Sequence, residues 1–204
     1  MNVHGSRLSA YLTTAGAVLL LVVLSARAHA QKQSPTPGHG SRLEVSVGYN
    51  AIRANAPVGN CGCFYMEGGR ADVAFPIFKG ISGVAEAGGA YAQHIDSFGD
   101  DVARITYLFG PRVTHRAGRS TSAFAQALFG GSHGFGGYFP TATSSSSSAN
   151  SFAFSAGGGV DLRLSHRFAL RVLQADYLYT ELPNARGDRQ NNLRIGGGIV
   201  IRLH

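Results

Sequence analysis

The chain has 204 residues, 28 of them Gly, with 14% charged, no Trp and two Cys. Glycine is about twice its usual share of roughly 7%, and charge falls well below the roughly 25% of a soluble domain, which excludes a coiled coil, a collagen-like chain and a disulfide-stapled mini-protein. At 44% hydrophobic residues the chain is also too apolar to be disordered.

The N-terminus carries an export pattern. Arg7 precedes an uncharged stretch from Tyr11 to Leu24, and Ala28-His29-Ala30 supplies the small-x-small site read by signal peptidase, so residues 1–30 are predicted to be a signal peptide cleaved after Ala30. A retained anchor is the alternative, but a spanning helix needs ~20 apolar residues, and this core stops before Ser25 and Arg27. Removing the segment leaves 174 residues with a charge of +5, too modest an excess to argue for a nucleic-acid partner. Nothing from Gln31 to His204 is an apolar run long enough for a helical span. A membrane-embedded mature chain must therefore be a β-barrel. A Pro/Gly-rich flexible leader is expected over 31–41 and a barrel domain over 42–204.

From Leu43 onward the sequence alternates. Leu43, Val45, Val47 and Tyr49 share one strand face, opposite Glu44, Ser46, Gly48 and Asn50. Ala71, Val73, Phe75 and Ile77 oppose Arg70, Asp72 and Ala74. A Gly/Ala-rich strand, Ile81 to Tyr91, carries Glu86. Ile105, Tyr107 and Phe109 oppose Thr106, Gly110 and Arg112. The strand from Ala123 to Ser132 has large residues in both parities, so the inward choice between Gln126 and Phe129 stays open. Phe152, Phe154, Ala156, Val160, Leu162 and Leu164 oppose Ser155, Asp161 and Arg163. Between Phe168 and Thr180, Arg171 and Asp176 have opposite parity, which predicts a bulge near Val172 to Gln174. Leu193, Ile195, Ile199, Ile201 and Leu203 oppose Arg194 and Arg202. These eight segments, ~9–11 residues each, suit an eight-stranded antiparallel up-and-down transmembrane barrel, all-β in class. Connections alternate between tight (Phe78 to Gly80, His115 to Ser120, Ser165 to Arg167) and long (Arg53 to Gly68, Ala92 to Ala103, His133 to Ser151, Glu181 to Gln190). Long loops are expected outside the cell and both chain ends in the periplasm.

Parity alone does not say which face is wet. A soluble barrel buries its apolar face, whereas a membrane barrel turns it to lipid and keeps polar groups in the lumen. The export signal, the scarcity of Lys and the near-balance of acids with Arg favour the inverted case, because the planar guanidinium fork suits buried carboxylate pairing. Glu44, Arg70, Asp72, Glu86, Arg112, Asp161, Arg163, Arg171, Asp176, Arg194 and Arg202 are then expected to form a lumen ion-pair network. With eight strands the interior is only wide enough for side chains, which favours a plugged lumen over a narrow small-solute channel.

Tyr107-Leu108-Phe109-Gly110-Pro111-Arg112, Gly158-Gly159-Val160-Asp161, Arg171 with Ala175-Asp176-Tyr177, and Asn192-Leu193-Arg194 through Gly198-Ile199-Val200-Ile201-Arg202 resemble the OmpA/OmpX-like small outer-membrane β-barrel family. The resemblance spans about Leu43 to Leu203. It implies an eight-stranded barrel in the outer membrane of a Gram-negative cell, with lipid and the outer-membrane assembly machinery as partners. Such barrels usually end in an aromatic residue read by that machinery, whereas this chain ends Leu203-His204. No cofactor or metal is expected, and a structural or surface-interaction role through the loops is the working function; an extracellular ligand is left open.

Three features offer chemistry. Ser132-His133, and His94 near Asp96, are the residues a lipid-modifying enzyme could use, yet a nucleophile needs a base within hydrogen-bond reach. Phe135, Tyr138 and Phe139, followed by the low-complexity run Ser144 to Ser148, suggest an interfacial belt beside a loop. Cys61 and Cys63 fall in the first long loop, where an oxidising location favours a disulfide; two residues apart, it would close a small, strained and reducible ring. A metal half-site and pairing with another molecule are the alternatives. Thiol titration tests the disulfide, which predicts no reactive thiol before reductant and both afterwards, and a non-reducing gel separates a bond within the chain from one to another molecule.

Overall fold

The computed structural model describes residues 43–55, 63–93, 101–140, 145–184 and 187–203. The signal peptide and leader expected over 1–41 lie outside them, as do Cys61, the Cys63 side chain, His94 and Asp96. Eight strands follow in chain order: β1 (Leu43–Asn55), β2 (Cys63–Phe78), β3 (Ile81–Ala92), β4 (Val102–Arg116), β5 (Thr121–Pro140), β6 (Ser145–Arg163), β7 (Phe168–Thr180) and β8 (Gln190–Leu203). Each pairs antiparallel with the next, and β1 with β8 closes the barrel.

Closure decides which face is which. Val47 and Ile199, opposite each other across the β1–β8 seam, are 57% and 55% exposed, and Phe109, Phe129, Phe152 and Ile195 lie on the same outer wall. Ser46, Asn50, Asp72, Arg112, Asp161 and Arg194 are buried. The barrel is thus turned inside out relative to a soluble one. On the outer wall rings pack across strands, Phe75 on Phe109 at 6.0 Å and Phe129 on Phe154 at 4.9 Å between centroids. In the strand left ambiguous, Gln126 is buried and Phe129 exposed. The register shift on β7 falls between Arg171 and Gln174, as the parity conflict requires.

Two expectations need correction. The strands run from 12 residues in β3 to 20 in β5, longer than ~9–11. The stretch from His133 to Ser151 is not mainly loop: β5 continues to Pro140 and β6 starts at Ser145 within the Ser run. The last β4 partner of β5 is Phe135 and the first β7 partner of β6 is Ala153, so the remainder of this hairpin pairs only with itself. Gly and Ser are frequent in this stretch, the composition of a loop, but strand geometry here propagates from the paired barrel wall below.

At the seam, Gly48 opposes Gly198. A Cβ on Gly198 would lie 2.3 Å from the Val47 carbonyl oxygen. Gly198→Val should therefore lower the unfolding free energy by about 1–3 kcal/mol, read by urea titration in detergent, with Gly69→Ala, whose Cβ meets only one atom at 3.6 Å, as the mild control.

Candidate functional site: a buried ion-pair network

Two carboxylates organise the interior. Asp72 on β2 accepts Ser46 Oγ–H from β1, Arg112 Nη2–H at 3.0 Å from β4 and Arg171 Nη1–H at 3.1 Å from β7. Arg171 also grips Asp161, with Nε and Nη2 at 2.9 and 3.3 Å from its two oxygens. The second hub is Asp176 on β7, which accepts Arg70 Nη1–H at 2.9 Å, Arg194 Nη2–H at 3.0 Å and Gln174 Nε2–H at 2.9 Å. Arg194 extends to Glu86, its Nη1 lying 2.7 Å from Oε1. Two glutamines join the hubs. Gln174 accepts from Arg171 while donating to Asp176, and Gln126 accepts two Arg112 N–H groups while reaching Asp176 at 3.5 Å. The Phe124 ring lies under both Arg112 and Arg171, with guanidinium carbons 4.5 and 4.4 Å from its centroid, a cation–π contact strengthened by burial.

Apolar side chains flank this network. Ile52, Met66, Leu108, Leu128 and Leu178 belong to one buried cluster against which Phe64 and Val102 pack. Near the short-turn ends of their strands, Ala74, Val84, Ala169 and Val200 are buried as well. The interior is therefore layered rather than polar throughout.

Of the expected residues, Arg70, Asp72, Glu86, Arg112, Asp161, Arg171, Asp176 and Arg194 are brought together. Glu44 and Arg202 pair at 2.8 Å, but at the partly exposed rim. Arg163 is not in the network. It ends β6 and is exposed, because its parity points inward only where strand wall continues around it. Sequence reasoning missed Arg104, which shares the parity of Thr106 and Arg112 and is buried; among the described residues it joins no ion pair. It also missed Ser46, Gln126 and Gln174 as the polar links between charges.

Ser132 and His133 do not form a catalytic pair. Ser132 is fully buried inside the barrel, while His133, the next strand residue, turns the other way and its Nδ1 meets Asn150 Oδ1 at 2.7 Å. Among the described residues no cluster of three His, Cys, Asp or Glu side chains could hold a metal ion.

Gly157 leaves room for the Asp176 hub, since a Cβ there would fall 2.5 Å from Asp176 Oδ1. Among the described residues, removing the hub carboxylate takes the ion pair from buried Arg70 and leaves buried Arg194 with Glu86 alone. Asp176→Ala should therefore cost about 3–5 kcal/mol of unfolding free energy, whereas Glu44→Ala at the rim should cost no more than about 1 kcal/mol. Equilibrium unfolding of both variants in one detergent checks the contrast.

No family model and no curated protein sequence matches the chain. The likeness is one of structure. The attachment invasion locus protein Ail of Yersinia pestis superposes with a TM-score of 0.55 at 17% identity, covering 81% of this chain and all of Ail. Neisserial surface protein A matches with a TM-score of 0.61 at 12% identity, over 81% of this chain and all of that one. The outer membrane protein OprG of Pseudomonas aeruginosa gives 0.50 at 7% identity, over 82% and 98%. Ail has also been solved with the heparin analogue sucrose octasulfate. At these identities the shared property is the fold: a small, closed, eight-stranded antiparallel barrel.

Proposed function

We propose that this chain is a small outer-membrane β-barrel with a structural or surface-interaction role and no catalytic chemistry, its long-loop end outside the cell and both chain ends in the periplasm. The observation that carries the reading is the pairing of an exposed aliphatic and aromatic wall with interior charges that find their partners inside. Such a wall is costly in water and favourable in hydrocarbon. Tyrosines toward the long-loop end support it: Tyr179 donates to Glu181 at 3.0 Å and Tyr91 to Asp101 at 2.5 Å, the apolar-body, polar-tip arrangement suited to a membrane interface. Export through the predicted signal and insertion by the outer-membrane assembly machinery complete the proposal.

The buried apolar cluster beside the network supports a plugged lumen over a narrow channel, since Val84, Leu108, Leu128 and Leu178 occupy interior space that a water path would need. The opposed faces of Ser132 and His133 weigh against the lipid-modifying enzyme. A surface ligand need not resemble the polysulfate bound by Ail. Among the described residues the long-loop end carries Glu67, Asp101, Glu181 and Asp188 against Arg53 and Arg189, an excess of negative charge.

The full chain refolded in detergent or lipid vesicles should show β-type circular dichroism and heat-modifiable migration on a gel, and no steady single-channel conductance in a planar bilayer. A detergent-free soluble monomer would overturn the membrane assignment. Steady conductance would overturn the plugged lumen alone.

A further inference from the structure

The short-turn end is basic all the way round. Lys79 lies in the β2–β3 turn, Arg116 and Arg119 at the β4–β5 turn, and Arg163 and Arg167 at the β6–β7 turn, and all five are exposed. Among the described residues the only carboxylate at this end not turned into the interior network is Glu44, already paired with Arg202. Among the described residues the opposite end has the reverse balance.

The backbone of the collar is held by bonds between each turn and the second strand after it, β4, β6 and β8 in order. Thr114 N–H donates to the Gly80 carbonyl at 2.8 Å, Arg163 N–H to that of Ser120 at 2.7 Å, and Arg202 N–H to that of Arg167 at 2.8 Å. The cations therefore stand at fixed places around the rim. At two of the three turns they adjoin exposed apolar residues in sequence: Phe78 precedes Lys79, and Leu164 and Phe168 flank the third turn, with Phe78 and Leu164 each 69% exposed. At these two turns no polar residue separates the nearest charge from the wall along the chain, whereas at the second turn Thr114 and His115 lie between Val113 and Arg116.

We propose that this collar binds the anionic headgroups of phospholipids in the leaflet at the short-turn end. The inference rests on the membrane assignment above and adds the lipid class and the leaflet. Cations abutting a hydrocarbon-facing wall sit at phosphate depth, where the apolar stems of Arg and Lys stay against the acyl boundary and their heads meet phosphate. A soluble acidic polymer needs no apolar border beside the charges, and Phe78, Leu164 and Phe168 supply one at two of the three turns. Guanidinium forks match phosphate oxygens two at a time, so four Arg and one Lys suit a shell of several headgroups rather than one deep pocket.

The test uses the full chain reconstituted in vesicles of phosphatidylcholine with a minor fraction of phosphatidylglycerol, extracted gently, with the retained lipid counted by mass spectrometry. Gel migration first establishes insertion; a chain that fails to insert counts against the membrane assignment, not the collar. For the inserted chain, several-fold enrichment of phosphatidylglycerol is expected, falling as salt is raised. It should approach the bulk ratio in a variant carrying Lys79→Gln, Arg116→Gln, Arg119→Gln, Arg163→Gln and Arg167→Gln. The matching Arg→Lys variant should keep most of it, which separates charge from folding damage. Enrichment unchanged in the Gln variant, or absent from the inserted wild-type chain, would overturn the proposal. So would equal retention of inorganic phosphate or of soluble polyglutamate by the chain in pure phosphatidylcholine, which would show that the collar takes free anions.

Discussion

Asp176 and Asp72 are surrounded by nitrogen. Between them they receive four arginines, two glutamines and a serine hydroxyl, drawn from β1, β2, β4, β5, β7 and β8. A carboxylate withdrawn from water is costly unless its lone pairs are met by donors of opposite charge. These two are met from strands on every side, so the network ties together strands that share no ladder. The outer wall has no comparable task. Its large apolar side chains face outward while the charged ones pair inside, the arrangement of a barrel that turns its hydrophobic surface to lipid.

Local backbone features serve that filling. Without the β7 bulge, Arg171 and Asp176 would sit on opposite faces and one hub would lose its strand partner. The shift between Arg171 and Gln174 turns both inward and places Gln174 between them. Phe124 adds a flat surface beneath two guanidinium groups that would otherwise repel each other across a short gap. The network is buried beside an apolar cluster, and a low local dielectric strengthens each of its contacts.

The two ends of the barrel differ in construction as well as in charge. The short turns are bonded to neighbouring strands and carry a ring of cations against the wall. At the other end the β5–β6 hairpin rises beyond its neighbours, and its outer segments pair only with each other. A rigid rim and a projecting hairpin suit different surroundings, a lipid leaflet on one side and an open surface on the other.

Strict two-residue alternation was legible from the chain alone, and with it the strand count, the up-and-down order and the two faces of most strands. The conflict between Arg171 and Asp176 even located the bulge. These are local properties, set by neighbours two residues apart. Which face lies inside is not local, because parity is unchanged when a barrel is turned inside out; only closure of β1 on β8 settles it. Partnerships were equally out of reach, since Arg70 meets Asp176 across 106 positions and Arg171 meets Ser46 across 125. Membership of the network followed from the same long-range geometry. It admitted Arg104, Gln126 and Gln174 to the interior and left Arg163 on the rim, because an inward-pointing residue is buried only where the wall continues past it.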